Sequence, residues 1–259
     1  MRPSGLEDPG ILELDLLTWN VHGWVGLDLR RDPGRIFAWL RRLGADVVGL
    51  QEVEGRDWLE LARAAGYHVT TGCLPGRGDF GNALLTRAPP LRCRQIDLSV
   101  GGGREERCAL DALLALGGSE TRRLRVVTTH LGLRATERRR QARRLAAHLA
   151  RVDTLAPVVV MGDLNDWTPW GAQLAPLAER VGRFSRERTF PSRRPVFPLD
   201  RVACRIPGAR SRVEVLRAPG LRAASDHLPL RLALRLGASA GAGAGARARA
   251  EDRERPSPG

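Results

Sequence analysis

The stretch VVVMGDLNDWTPW, residues 158–170, ends an apolar run with a cluster of acidic and amide side chains. Asp163, Asn165 and Asp166 follow four apolar residues and a glycine. Asp and Asn favour turns, because their side chains hydrogen-bond the nearby backbone. A turn alone explains this stretch, so the rest of the chain must decide whether it also carries chemistry.

Polar residues that can bind a metal ion or a phosphate follow apolar runs at six places. Singly, each has a structural explanation, such as a turn, a cap or a buried histidine with satisfied hydrogen bonds. Layered α/β proteins bind ligands at the ends of strands, and the recurrence therefore indicates one shared site. The residues are Asn20, Glu52, His130, Asp163 with Asn165, Asp200, and Asp226 with His227.

Three of these residues are predicted to bind a divalent cation. Mg²⁺ prefers oxygen ligands, including one or two carboxylates, and Glu52, Asn20 and Asp226 supply such oxygens. Mn²⁺ accepts the same kind of ligand. A cation held here would act as a Lewis acid on a phosphate ester.

The other residues fit the hydrolytic step. Asp163 is predicted to be the general base that orients and deprotonates a water molecule. His227, held by Asp200, is predicted to donate a hydrogen bond to the phosphoryl oxygens. Asn165 and His130 would stabilise the negative charge that develops on those oxygens.

Buried strands and helices must position these side chains. The apolar runs at 12–21 and 45–53 predict two strands covered on both faces. Between them, Asp32 and Pro33 are typical of a helix start, and Gly44 ends the helical pattern. Strands that alternate with helices in this way indicate α/β layering.

The remaining pattern predicts short antiparallel strands and three further helices. The runs YHVTTG, GNALLTR, LRCRQIDL and RCALDALLAL are strand-like and separated by Gly and Pro. Helices are predicted at 57–65, at 136–150, where the apolar face is clear, and near 170–180. Further strands are predicted at 121–132, 157–161, 199–204, 212–216 and 228–235.

The amino-acid composition says less about the function than the motifs do. The net charge is +13, from 42 basic and 29 acidic residues, and every basic residue is Arg. Arginine suits phosphate because its planar fork pairs with two oxygens. GC-rich coding produces the same bias without any functional reason, so the charge is only weak support for an anionic substrate. Four cysteines without C-x-x-C spacing argue against a zinc site or a disulfide scaffold.

The pattern predicts one catalytic domain over residues 12–236, with a lead at 1–11 and a disordered Gly/Ala/Arg-rich tail at 237–259. No run approaches the roughly 20 apolar residues that a membrane helix needs. The first residues lack the apolar core of a signal peptide. A cytoplasmic location is therefore the expectation.

Eight motifs carry a resemblance to a known family over residues ~12 to ~235. TWNVHG, LQEVE, GNALLTR, REERCAL, THLG followed by RRRQ, GDLND, FPLDRV and SDHLPL occur in the order seen in the endonuclease/exonuclease/phosphatase superfamily. The resemblance implies a four-layer α-β-β-α sandwich with two facing mixed, mainly antiparallel sheets. It also implies hydrolysis of phosphate esters that depends on Mg²⁺.

The resemblance also assigns softer roles. Glu105 and Arg107 fall on the Glu-x-Arg strand of the superfamily, which implies that Glu105 supports the site and that Arg107 contacts substrate. Asn82 of GNALLTR is implied to approach the substrate. His130 matches the first catalytic histidine of the deoxyribonuclease and sphingomyelinase branches.

The abasic-site endonuclease branch is disfavoured. An acid is usual two residues after the first-strand Asn, where this chain has His22, and a Lys is usual where it has Glu54. The only tyrosine, Tyr67, lies far from the position of that branch's catalytic tyrosine. The chain instead looks like small bacterial members that resemble deoxyribonuclease- and sphingomyelinase-type phosphoesterases.

Three functions stay open at this point. The favoured one is a phosphodiesterase or phosphatase acting on a small or lipid-derived phosphate ester, with no obligate protein partner indicated. The second is a nuclease, and the third is a non-catalytic phosphate-binding module. Trp24, Trp167 and Trp170 lie near the predicted site loops and fit stacking on a base, contact with a lipid, or simple packing.

Overall fold

Eleven strands and five α-helices form from residues 11–73, 80–101, 106–152, 157–168 and 170–237, the part of the chain that this computed structural model describes. The strands are β1 Leu12–Asn20, β2 Val47–Val53, β3 His68–Cys73, β4 Gly81–Thr86, β5 Arg92–Asp97, β6 Cys108–Leu116, β7 Ser119–His130, β8 Val158–Asp163, β9 Asp200–Arg205, β10 Arg210–Val215 and β11 Leu230–Leu236. The helices are α1 Pro33–Leu43, α2 Trp58–Ala64, α3 Ala135–Val152, α4 Ala175–Val181 and α5 Pro219–Ala224.

Two of the predicted features lie outside the described residues. These are the tail after residue 237 and the side chain of Glu105. Of the predicted lead, only residue 11 is described.

The strands form two sheets. The first sheet has the order β10-β11-β1-β2-β4-β3, and the second has the order β5-β6-β7-β8-β9. Within the described strands, β1 with β2 and β7 with β8 are parallel neighbours, and the other neighbours are antiparallel. The predicted mixed, mainly antiparallel sheets are therefore confirmed.

Three apolar layers hold the sandwich together. The inner layer lies between the sheets, and the outer layers lie under α1, α2 and α5 on one side and under α3 and α4 on the other. Alternate residues of one strand serve two layers, as Val47 enters the inner layer while Val48 packs outward. Val159 and Val160 of β8 divide in the same way. Burial on both faces explains why these strands read as continuous apolar runs.

The helix signals differ in strength along the chain. At α1, the side chain of Asp32 accepts from the Arg35 backbone N–H, and Gly44 ends the helix in the left-handed conformation. The helix predicted near 170–180 is divided into a 3₁₀ turn at Ala172–Leu174 and the short α4. α5 was not predicted, because six residues give too little periodicity.

No helix in the described ranges is both long and apolar enough to span a membrane.

Two glycines let the strands that carry the polar residues approach each other closely. A Cβ on Gly49 of β2 would lie 2.4 Å from Thr128 Oγ1 of β7, across the interface between the sheets. A Cβ on Gly162 of β8 would lie 1.9 Å from the Thr129 carbonyl oxygen. Gly162 also has a φ of 149°, which side chains rarely adopt. The glycines of GLQE and GDLN therefore let β2 and β8 each approach β7 closely.

Candidate active site

Strand ends from both sheets meet at one edge of the sandwich. In the second sheet, the register pairs His130 with Asp163 and Asp163 with Asp200. In the first sheet, Asn20 at the end of β1 pairs with Gln51 of β2. The structure thus gathers side chains that are far apart in sequence.

Asp163 lies at the centre of this group and is 1% exposed. Its Oδ2 accepts from Asn20 Nδ2 at 3.0 Å, and its Oδ1 accepts from the Asn165 backbone N–H at 2.9 Å. Burial raises the pKa of Asp163 to about 6, with the His227 charge opposing this and the Asp200 charge adding to it. The carboxyl group therefore titrates near neutral pH.

Glu52 projects into the same space from an irregular part of β2. Its φ is 57°, and the pairing of β2 with β4 shifts register between Leu50 and Val53. A positive φ is uncommon for a residue with a side chain and recurs at functional sites. Asn20 Nδ2 donates to Glu52 Oε1 at 2.9 Å, so one amide joins Glu52 to Asp163. The Glu52 side chain is 24% exposed and is open to solvent.

His130 is a buried, neutral ring. Arg107 Nη1 lies 3.0 Å from His130 Nδ1, and because a guanidinium only donates, Nδ1 must accept and Nε2 must carry the proton. Burial, the Arg107 charge and the His227 charge lower the pKa of His130 well below its ordinary value of 6.5. Nε2 lies 3.6 Å from Asp163 Oδ2 and 3.8 Å from Glu52 Oε1.

Asn165 places a second donor beside His130. Its Nδ2 donates to the Leu131 carbonyl at 2.9 Å and lies 3.0 Å from His130 Nε2. Because His130 Nε2 carries a proton, these two nitrogens are neighbouring donors and do not satisfy each other. A positive φ of 51° at Asn165 holds the amide in this place.

His227 approaches Asp163 from the other side and is held by Asp200. His227 Nδ1 donates to Asp200 Oδ2 at 2.8 Å, and His227 Nε2 lies 3.8 Å from Asp163 Oδ2. Burial opposes a charge on the ring, but the Asp200 and Asp163 carboxylates outweigh it and raise the pKa of His227 to about 10. His227 is therefore a cation at neutral pH.

Two residues that sequence reasoning missed support this pair. Thr189 Oγ1 donates to Asp200 Oδ2 at 2.5 Å, and nothing in its loop sequence indicates that contact. Ser225 Oγ accepts from the His227 backbone N–H at 3.2 Å and donates to the Asn20 carbonyl at 2.8 Å. Ser225 stands two residues before His227 in SDHLPL, so its position in that motif was the available signal.

Other predicted residues lie at the margin. Asp226 is a neighbour of His22, with its Oδ1 3.8 Å from His22 Nδ1. Asn82 is buried and donates through Nδ2 to the Cys108 carbonyl at 3.0 Å. Arg107 is also buried and lies behind His130, where it contacts the ring. These three residues therefore lie around the central group rather than within it.

Two groups of three side chains in the described residues place ligand atoms within 4.8 Å of one another. Glu52, His130 and Asp163 form the first, and Asp163, Asp200 and His227 form the second. In the first group the two carboxylates suit a hard divalent cation, whereas the His130 Nε2 that faces them carries a proton and offers no lone pair. The second group fits poorly, because the protonated His227 ring has no lone pair for a metal ion.

The orientation of Asn20 bears on its predicted role as a metal ligand. Its amide nitrogen faces the Glu52 and Asp163 carboxylates, while its Oδ1 accepts from the His22 backbone N–H at 2.9 Å. In this orientation Asn20 offers hydrogen-bond donors to the site and no oxygen ligand.

An aromatic cluster borders the site next to His227. The Trp167 ring lies 4.9 Å from that of Phe197 and 5.9 Å from that of Phe190, and Phe190 lies 4.7 Å from the His227 ring. Trp167 and Trp170 are 41% and 73% exposed. Trp24, by contrast, is buried and packs in the outer layer under α1 and α2.

Comparisons with known proteins agree with this geometry. A model of the Endonuclease/Exonuclease/phosphatase family matches residues 17–227. The chain is 29% identical over 241 residues to the uncharacterized protein YbhP of Escherichia coli (strain K12), covering 83% of this chain and 93% of that protein.

Solved structures are similar as well. The structure of an endonuclease/exonuclease/phosphatase from Beutenbergia cavernae has a TM-score of 0.66 at 26% identity, over 87% of this chain and 72% of that chain. The human Nocturnin catalytic domain with bound sulfate anion has a TM-score of 0.72 at 20% identity, over 86% and 93% of the two chains, and this likeness concerns the fold alone.

Proposed function

The chain belongs to the endonuclease/exonuclease/phosphatase family, and from that premise we propose that it hydrolyses a phosphate ester with the aid of a divalent cation. One observation carries the proposal. The Nε2 atoms of two histidines flank Asp163 Oδ2 at 3.6 and 3.8 Å. Both distances exceed a hydrogen bond, so the rings leave the carboxylate free to accept a proton from a water molecule.

Asp163 is the proposed general base. Its raised pKa of about 6 lies close to neutral pH, where a base combines a large ionised fraction with a strong affinity for a proton. The Asn20 amide and the Asn165 backbone N–H hold the two carboxylate oxygens in place. The water to be activated would lie beside Oδ2, between the two histidines.

Three donors are proposed to bind the phosphoryl oxygens. His227 offers a cationic N–H, and His130 and Asn165 offer two neutral N–H groups side by side. The two donor nitrogens face each other at 3.0 Å and repel, although Asn165 Nδ2 also donates to the Leu131 carbonyl, and an oxyanion between them would relieve the repulsion. Donors that are already oriented towards developing charge lower the barrier most effectively.

Glu52 is the residue proposed to hold the cation, because it is the partly exposed carboxylate of the first group. Asp226 and Asn20 would contribute only if their side chains turned from their contacts with His22. A bound Mg²⁺ or Mn²⁺ would supply Lewis-acid polarisation of the phosphate.

The aromatic cluster favours a substrate with an apolar group beside the phosphate. Trp167, Phe190 and Phe197 form a surface adjacent to the proposed oxyanion donor His227. A small or lipid-derived phosphodiester would bury its apolar part there. Bases of a nucleic-acid strand also stack on such rings, which keeps a nuclease as the second candidate.

The test compares the wild type with Asp163→Asn, each with Mg²⁺, Mn²⁺ or EDTA. The substrates are bis-p-nitrophenyl phosphate, p-nitrophenyl phosphate, plasmid DNA and a sphingomyelin dispersion. We expect turnover that EDTA abolishes and that Asp163→Asn lowers about 10⁴-fold. Glu60→Gln removes an exposed carboxylate from α2 and serves as the matched control.

The outcomes separate the hypotheses. Strand cleavage without turnover of the lipid would identify a nuclease. Full activity in EDTA, or in Asp163→Asn, would refute the proposed chemistry. Folded protein without turnover of any substrate would favour a phosphate-binding module.

A further inference from the structure

A polar cavity separate from the candidate active site lies on the outer face of the second sheet, between strand β5 and the last turn of α3. Its volume is about 250 Å³. The register of the sheet places its lining on one face, with Arg94 opposite Asp111 and Arg92 opposite Leu113. The lining residues are Arg92, Arg94, Asp111, Leu113, Arg125, Arg151 and Val152.

A buried ionic group forms the floor of this cavity. Arg125 Nη1 donates to both oxygens of Asp111, at 2.7 and 2.6 Å, and the His148 ring lies 2.7 Å from Asp111 Oδ2. The Asp111 side chain is 1% exposed, and those of Arg125 and His148 are 13% exposed. The Asp111 charge is thus already neutralised within the floor.

Three arginines of the lining have no carboxylate partner within the part of the chain that the structure describes. Among the described residues, Arg92, Arg94 and Arg151 form no ion pair, although Arg94 stands directly across from Asp111. Like charges that converge on one concave surface raise the local positive potential. The cavity is therefore suited to an anion with several oxygens.

We propose that this cavity binds a small molecule with a diphosphate group. Three guanidinium forks match the paired oxygens of such a group, and the binding would be charge-assisted and directional. Arg125 precedes His130 by five residues on β7, which corresponds to about 17 Å along a strand. The site is therefore separate from Asp163 and does not rest on the proposed hydrolysis.

Isothermal titration calorimetry with inorganic pyrophosphate in EDTA tests the proposal. We expect saturable binding to the wild type, and a Kd at least about tenfold weaker in the double variant Arg94→Gln, Arg151→Gln. Arg139→Gln with Arg143→Gln removes the same charge from the exposed face of α3 and should leave the Kd unchanged.

Three results would overturn the assignment. One is equal weakening in both double arginine variants, which would indicate a general charge effect. Another is equally tight binding of sulfate at matched ionic strength, which would indicate a nonspecific anion surface. The third is tighter binding of a single-stranded oligonucleotide than of pyrophosphate to the same arginines, which would indicate a nucleic-acid site.

Discussion

Two histidines reach Asp163 from opposite sides of the candidate active site, and their protonation states are opposite. Both are buried, His130 at 4% and His227 at 5% exposure. The group at Nδ1 differs, because Arg107 lies behind one ring and Asp200 behind the other. The pKa of His130 falls well below 6.5, while that of His227 rises to about 10.

This contrast shows that burial alone does not set the charge of a histidine. Burial disfavours the charged ring on both sides, and the neighbour at Nδ1 reinforces or overcomes that effect. The site consequently holds one neutral and one cationic donor beside the same carboxylate. Variants in which these neighbouring residues are replaced test whether the difference in charge between the two histidines supports the proposed function.

Among changes to the neighbours of the two histidines, the largest effect is expected from Asp200→Asn. Without the carboxylate at Nδ1, His227 should lose its proton near neutral pH, and turnover should fall about 10²–10³-fold, as for a lost oxyanion donor. NMR titration of the histidine ring protons would follow the pKa of His227. A ring that stays protonated at pH 8 in this variant would contradict the role given to Asp200.

The two histidines should also give opposite slopes to the pH dependence of stability in EDTA. The folded pKa of His130 is depressed, so its contribution is present above 6.5 and is lost as pH falls below 6.5. The folded pKa of His227 is raised, so its contribution is present below 6.5 and is lost as pH rises towards about 10. Each slope should approach about 1.4 kcal/mol per pH unit.

Urea unfolding of the wild type, His130→Gln and His227→Gln at several pH values measures these slopes. The difference between variant and wild type is the informative quantity, because Asp163, with a raised pKa of about 6, stabilises the folded state as pH falls and opposes His130. We expect His130→Gln to change the pH dependence of the free energy of unfolding below pH 6.5, and His227→Gln to change it above pH 6.5. If the free energy of unfolding changed with pH in the same way in both variants, the inferred difference in charge between the two histidines would be wrong.

A smaller effect is expected from Arg107→Met, which removes the cation behind His130. The pKa of His130 should rise towards its ordinary value, while burial continues to hold it down. Turnover should fall about tenfold or less, since a His130 ring that gains a second proton still carries one on Nε2. A pKa of His130 that does not move in the NMR titration would show that burial and the His227 charge keep the ring neutral without Arg107.

The smallest effect is expected from Thr189→Val. This change removes two hydrogen bonds with Asp200, one to its carboxylate and a longer one from its backbone N–H, and keeps the carboxylate charge. The loss of stability should be about 1 kcal/mol, and the pKa of His227 should shift less than in Asp200→Asn. Thermal unfolding and the same NMR titration would measure both. If the pKa of His227 fell as far in Thr189→Val as in Asp200→Asn, the main contribution of Asp200 would be to orient the ring, rather than to supply a negative charge.

Much of the fold could be predicted from local signals. Continuous apolar runs identified β1, β2 and β8, and the Asp32-Pro33 pair with Gly44 identified α1, because caps and strand periods are encoded by neighbouring residues. The motif order identified the family, and with it the two facing sheets. The short helices α4 and α5 gave weaker signals, since their six or seven residues complete fewer than two turns.

Local patterns and motif order thus predict the strands, the family and most of the residues proposed for the candidate site, including Glu52, Asp163 and His227. The chemical states of these residues depend on contacts that form only in the folded protein. The contacts at Nδ1 join residues 23 and 27 positions apart, and the support from Thr189 comes from a loop. Because a pKa depends on burial and on charges brought near in space, two histidines that look alike in the sequence became one neutral and one charged donor.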